Sequence, residues 1–213
     1  MRVLVACEES QEVCKAFRAT GHEAYSCDLV PCSGGHPEWH IQADALEIIK
    51  IHWDLVIAHP PCTYLTSAGA VNLFNDAHEV IDKEREEKGW QAKEMFLRFL
   101  NEANADRVAV ENPAPMKHFG LPKFDQIIEP YYFGDPWKKR TCLWLRGLPP
   151  LQATNVVKPK GCWVSCSGKH TRTKLLDVKG HRNPKTRSKT FSGIAKAMAD
   201  QWGGEVIMMK GWV

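Results

Sequence analysis

No apolar run in the 213-residue chain approaches the roughly 18 residues that cross a bilayer. The opening stretch Met1–Cys7 is too short for the apolar core of a secretion signal and reads instead as a buried strand. These absences give the expectation of a cytoplasmic protein, in a bacterium or a phage-infected host cell, with no membrane association. In that compartment the eight cysteines are expected as free thiols. No Cys-x-x-Cys is present, which speaks against a thiol redox protein. Cys162 and Cys166 lie four apart with His170 and His181 downstream, a poor spacing for zinc, so no metal is expected. No internal repeat is visible, and no obligatory protein partner is evident.

Acid is nearly missing from one segment. Between Leu151 and Thr190 there are ten Lys or Arg and a single acid, Asp177, a local charge of +9 within a chain of net charge +3. The remainder therefore carries −6. A basic segment interleaved with Gly, Ser and Thr on an otherwise mildly acidic body is the footprint of a phosphate-backbone partner; a solvated loop is the plain alternative. The candidate contacts are Lys158, Lys160, Lys169, Arg172, Lys174, Arg182 and Arg187, with Trp163 as a side chain able to stack or wedge.

What is present is a series of short Val/Ile/Leu-rich runs: Arg2–Ala6, Glu23–Cys27, Asp54–Ala58, Arg107–Val110, Cys142–Leu145 and Glu205–Met209. Runs without alternation predict strands buried on both faces. Helical stretches separate them. Ser10 and Gly21 bracket a helix over Gln11–Thr20 as N-cap and stop. Ala92, Phe96, Phe99, Leu100 and Ala103 recur at helical spacing within Lys88–Ala105, and Gly193–Trp202 is a further helix. This pattern predicts an α/β fold with a doubly wound, mostly parallel sheet. The expected organisation is a catalytic domain over 1–150, a loop-rich basic insertion over 151–190, and a closing helix and strand over 191–213.

Doubly wound sheets bind ligands at the carboxyl ends of their strands, so the residues that follow each strand are the place to look for chemistry. After the first strand comes Cys7-Glu8-Glu9-Ser10, and after the second Asp28. The third is followed by His59-Pro60-Pro61-Cys62, and the fourth by Glu111-Asn112-Pro113. The plain alternatives are a buried structural thiol for Cys62, which its Pro-Pro context disfavours, a cap or ion-pair partner for Glu111, and a cap or turn residue for either Asp.

The pairing of Pro60-Pro61-Cys62 after one strand with Glu111-Asn112 after a later one resembles the cytosine-C5 methyltransferase signature. The resemblance covers about residues 1–145 plus the closing helix near Ser192–Trp202. It implies the Rossmann-like fold of S-adenosylmethionine-dependent methyltransferases, with S-adenosyl-L-methionine as cofactor and double-stranded DNA carrying a cytosine target as partner. Cys62 would be the nucleophile that adds to C6 of a flipped-out cytosine, which makes C5 electron-rich. Glu111 would supply a proton at N3. The Pro136–Leu145 segment partly matches the family's Gln-x-Arg-x-Arg element, with Lys139 or Arg140 at its first arginine. Arg140 is favoured there for its two-pronged guanidinium.

On the cofactor side the resemblance implies Asp28, followed by Leu29, at the ribose and Asp44, followed by Ala45, at the adenine amino group. Cys7, Glu8 and Ser10 would lie in the first cofactor loop, with the following helix N-terminus facing the methionine carboxylate. His59, Pro60 and Ser192, the last in Thr190–Ala195, would complete the pocket. Three departures stand out. The first loop lacks the family's Phe-x-Gly-x-Gly glycines, which normally let backbone approach the cofactor. His59 stands where the family usually has a small residue, and either touches base or sulfur or simply packs. Only Leu151–Lys189 is available as a target-recognition region, which implies short or relaxed sequence specificity. Alternatives are a catalytically silent DNA-binding module on the same fold, or a methyltransferase acting on RNA, a nucleotide or an amino group.

Overall fold

The computed structural model describes residues 1–163 and 187–204. The predicted strand Glu205–Met209 lies outside the described residues, as do Lys169, Arg172, Lys174 and Arg182.

The apolar runs form the centre of a seven-stranded sheet. β1 (Arg2–Ala6), β2 (Glu23–Asp28), β3 (His40–Gln42), β4 (Trp53–Ala58) and β5 (Ala105–Pro113) run parallel; β8 (Thr141–Arg146) pairs antiparallel with β5, and β6 (Gln126–Ile128) antiparallel with β8. The order is β3-β2-β1-β4-β5-β8-β6. This is a doubly wound, mostly parallel sheet. A two-stranded parallel ribbon, β7 (Trp137–Lys138) with β9 (Gly161–Cys162), sits beside it.

Alternate residues of each strand serve opposite faces, because successive side chains on a strand point opposite ways. Val3, Val5, Leu55, Ile57, Ala109 and Leu143 join one core, packed with Phe17 of α1 (Glu12–Ala19) and Ile194, Met198 and Trp202 of α4 (Ser192–Trp202). Leu4, Ala6, Val56, Ala58, Val108, Val110 and Trp144 join the other, with Ala45 of α2 (Ala45–Ile48) and Phe96 and Phe99 of α3 (Lys83–Glu102). Phe96 meets Trp144 edge-on at 4.8 Å. Each fully buried side chain of this size contributes roughly 1.5–3 kcal/mol.

Helix ends depart from the sequence reading in two places. Helix α3 starts at Lys83, earlier than its apolar periodicity suggests, because Asp82 caps it by accepting the Arg85 N–H at 2.9 Å. Ser10 does not cap α1. The N-cap is Gln11, in left-handed backbone at φ 60 with no capping side chain of its own. The cap comes instead from a distance: the buried Glu8 carboxylate accepts from Val13 N at 2.7 Å and Cys14 N at 3.2 Å.

Cys7, Cys14, Cys27, Cys32, Cys62 and Cys142 are free thiols, whereas Cys162 is disulfide-bonded, which corrects the expectation of reduced thiols throughout. No helix among the described residues is long and apolar enough to cross a membrane.

Candidate active site

Parallel pairing sets the site. Ala6 pairs with Cys27 and with Ala58, and Ala58 pairs with Val110. One residue further along each strand, Asp28, Cys7, His59 and Glu111 therefore stand in a row along the carboxyl edge. His59 N donates to Ala6 O at 3.0 Å, which carries the β1–β4 ladder one step past the strand. The row joins the acid after the second strand, the cysteine of the first loop, and both halves of the Cys62/Glu111 signature.

Cys62 follows two prolines that stiffen the turn. Its carbonyl accepts from Leu65 N at 3.1 Å and Thr66 N at 3.0 Å, closing a short turn that fixes the thiol's backbone. Asn112, fully buried, reaches from β5 to donate to Pro60 O at 3.4 Å. Arg85 of α3 donates to Thr63 O at 2.8 Å, and its guanidinium lies 5.1 Å over the Tyr64 ring. The nucleophile's loop is thus held from β5 on one side and α3 on the other.

The electrostatics of Cys62 and Glu111 are coupled. Burial pushes the Cys62 thiol up, and the Glu111 charge adds to that; Lys139 and Arg187 pull it down without reversing it. Burial also pushes the Glu111 carboxyl up, but His59, Lys139 and the Thr141 hydroxyl outweigh it and hold the group below its ordinary value. His59 Nδ1 lies 3.4 Å from Glu111 Oε2, with both side chains largely buried. Lys139 is therefore the cation that acts on nucleophile and acid together. It is set in place by its backbone N–H, which donates to Glu129 at 2.7 Å, and by Nζ, which donates to Lys189 O at 3.4 Å. Arg140, the residue favoured from sequence, is exposed. Entry into β8 sends neighbouring side chains opposite ways, so a one-residue ambiguity in alignment decides which base faces the thiol.

The other half of the row is acidic. Burial pushes the Cys7 thiol far up, and Asp28, Cys27 and Asp44 push it further, so both acids converge on this sulfur. Asp28 accepts from Val30 N at 3.2 Å, and Asp44 caps α2 by accepting from Leu46 N at 2.9 Å. Leu29 is 71% exposed beside Asp28, whereas Ala45 is buried. The missing glycines have a counterpart in the backbone: Cys7 at φ 58 and Gln11 at φ 60 take up left-handed conformations that glycine adopts without strain.

Glu8 and Ser10 are buried. Glu8 does not face an open pocket, because it fills the N-terminal donors of α1, the place a cofactor carboxylate was expected to occupy. Pro60 is buried and Ser192 exposed at the start of α4. The α4 N-terminus is held by Asp135, which accepts from Gly193 N at 3.0 Å.

Of the basic candidates among the described residues, Lys158, Lys160 and Arg187 are exposed. Trp163 packs with Trp137 at 5.4 Å and Phe191 at 5.0 Å, which ties the start of the basic segment to the ribbon and to α4. Sequence reasoning missed the His59–Glu111 contact and the capping role of Glu8. Only the strand register, which no motif records, could have shown the first.

No protein-family model matches the chain, and no curated protein matches it. Solved structures similar to it include a protein described as a candidate DNA modification methyltransferase encoded within a prophage (E. coli), at 14% identity and TM-score 0.41, over 68% of this chain and 46% of that one. The Entamoeba histolytica methyltransferase EhMeth is similar at 12% identity and TM-score 0.44, over 79% and 61%. The S. pombe Dnmt2 methyltransferase is similar at 13% identity and TM-score 0.41, over 70% and 51%. The chain thus spans between 46% and 61% of the length of these structures.

Proposed function

We propose that this chain is a DNA cytosine-C5 methyltransferase that uses S-adenosyl-L-methionine and forms a covalent adduct through Cys62. The observation that carries this reading is the β4–β5 register. Ala58 pairs with Val110, so Glu111 on β5 stands beside the proline-stiffened turn that leaves β4 and carries Cys62.

In this account a cytosine turned out of the duplex enters the pocket, and the Cys62 sulfur adds to C6. The thiol must first lose its proton. Lys139 and Arg187 favour the thiolate, while burial and Glu111 oppose it. Glu111 faces the ring nitrogen N3 and manages the proton there as charge develops in the ring. Loss of the C5 proton and of the Cys62 sulfur then restores the aromatic ring. Arg140, exposed just before β8, would hold a base oxygen or phosphate in two places, and Lys158, Lys160 and Arg187 would supply phosphate contacts.

At the nucleoside end of the cofactor, Asp28 at the end of β2 would meet the ribose diol and Asp44 at the head of α2 the adenine amine. The residues present fit its amino-acid end less simply, because Glu8 fills the α1 N-terminus. When bound, the cofactor supplies an electrophilic methyl group.

The test is transfer of labelled methyl to mixed-sequence duplex, with nucleoside analysis of the product. A C5-methylated cytosine that disappears in a folded Cys62→Ala variant supports the reading. An N4 or N6 product, or full activity in Cys62→Ala, refutes it.

A further inference from the structure

The reaction proposed for this site asks Glu111 to present a proton to N3, yet the groups around it hold it ionised. His59 Nδ1 sits 3.4 Å from Glu111 Oε2, and its ring is 13% exposed. Its other nitrogen, Nε2, is buried and makes no hydrogen bond. A second buried carboxylate, Glu8, acts on His59 from the loop after β1. The imidazole is thus paired with Glu111 at the sheet edge and interacts electrostatically with Glu8. Lys139 and the Thr141 hydroxyl approach Glu111 from the β8 side, Lys139 and Arg187 bear on Cys62 on the same turn, and Asp28 and Asp44 bear on the neighbouring Cys7. A packing histidine gains nothing from leaving Nε2 without a partner in such a place, since an unpaired buried polar atom costs about 1–3 kcal/mol.

We propose that His59 is the positioning residue and proton reservoir for Glu111, storing as imidazolium the proton that Glu111 passes to the base; this rests on the methyltransferase reading of the site. As the Cys62 sulfur bonds to C6, the Nδ1 proton of His59 passes to Glu111 and Glu111 passes a proton to the N3 lone pair, leaving neutral imidazole, an ionised Glu111 and a protonated N3. When the C6–sulfur bond breaks, the N3 proton returns to Glu111 and from there to Nδ1, and the imidazolium–carboxylate pair is restored. The chain neither gains nor loses a proton over this part of the cycle. The arrangement depends on the register that aligns His59 with Glu111, and on an imidazole where a small residue could not reach the carboxylate.

Two measurements test the proposal. The first follows the His59 ring by NMR titration without DNA, in wild type and in Glu111→Gln. The expected result is a titration midpoint that falls in Glu111→Gln, because the paired carboxylate is gone; an unmoved midpoint overturns the pairing. The second follows the rate of adduct formation with 5-fluorocytosine duplex against pH, in wild type and His59→Gln. Without the reservoir, Glu111 must take its proton from solvent, so the His59→Gln rate falls about tenfold more than wild type for each pH unit between its own midpoint and that of the wild type. Recovery toward the wild-type rate at acid pH is expected. A constant ratio of the two rates at every pH overturns the proposal and makes His59 a packing residue. If wild type forms no adduct while the His59 midpoint still moves in Glu111→Gln, the methyltransferase reading has failed and the proton delivery fails with it, although the ion pair stands. Where His59→Gln does not fold, the wild-type and Glu111→Gln titrations still decide.

Discussion

Replacing Glu8 separates two tasks of a carboxyl group at the head of α1, accepting hydrogen bonds and carrying charge. Its side chain is 4% exposed and accepts from Val13 N and Cys14 N. Glu8→Ala leaves two buried N–H groups without an acceptor, at about 1–3 kcal/mol each. The expected loss is thus about 2–6 kcal/mol, above the usual range for a surface cap. Glu8→Gln keeps one acceptor and removes the charge. Burial raises the Glu8 carboxyl, and His59 and the two backbone donors lower it without cancelling the rise. A folded-state value raised above the unfolded one means stability that is complete below about pH 4.3 and is lost as pH climbs through the folded value. Glutamine has no such loss, so its stability relative to wild type should improve from pH 5 to pH 8. Urea unfolding followed by circular dichroism at three pH values measures both effects, provided the denaturant slope is unchanged. An alanine variant within about 0.5 kcal/mol of wild type would refute the capping role. A glutamine variant that loses ground as pH rises would refute the electrostatic argument.

Other outcomes follow from the same geometry. Because the Glu111 charge helps hold the Cys62 thiol up, Glu111→Gln should speed alkylation of Cys62 at a given pH even as it removes transfer; Lys139→Met should slow it. Rates of iodoacetamide labelling against pH, read by mass spectrometry, check both directions. Lys158→Ala and Lys160→Ala should each reduce the slope of log affinity against log salt for duplex by about 0.9 and weaken all sequences alike. Gly193 sits where an added Cβ would run into the Phe133 carbonyl at the foot of α4, so Gly193→Ala should destabilise the chain by about 1–3 kcal/mol in thermal unfolding.

Much of the sheet could be read from the sequence because its central strands are buried on both faces, and continuous apolar runs mark them. β3, β6, β7 and β9 could not, since each has three residues or fewer and takes its place from neighbours and not from its own composition. The head of α1 misled for a related reason. Ser10 is the local residue of the right type, but the cap comes from Glu8 across a left-handed turn at Cys7 and Gln11. At the site, Cys62 and Glu111 were legible as motif residues following strands. Their electrostatic setting was not: His59 meets Glu111 only because Ala58 pairs with Val110, and Lys139 replaces Arg140 beside them through the direction in which the chain enters β8.

The central claim is that Cys62 bonds covalently to a cytosine ring in DNA. Duplex carrying 5-fluorocytosine, incubated with the protein and S-adenosyl-L-methionine, arrests the reaction after methyl transfer because the C5 substituent cannot leave as a proton. The account predicts a denaturation-resistant adduct that maps to Cys62 and is heavier by one methyl group. Firm duplex binding with no adduct, or an adduct on another residue, would contradict it.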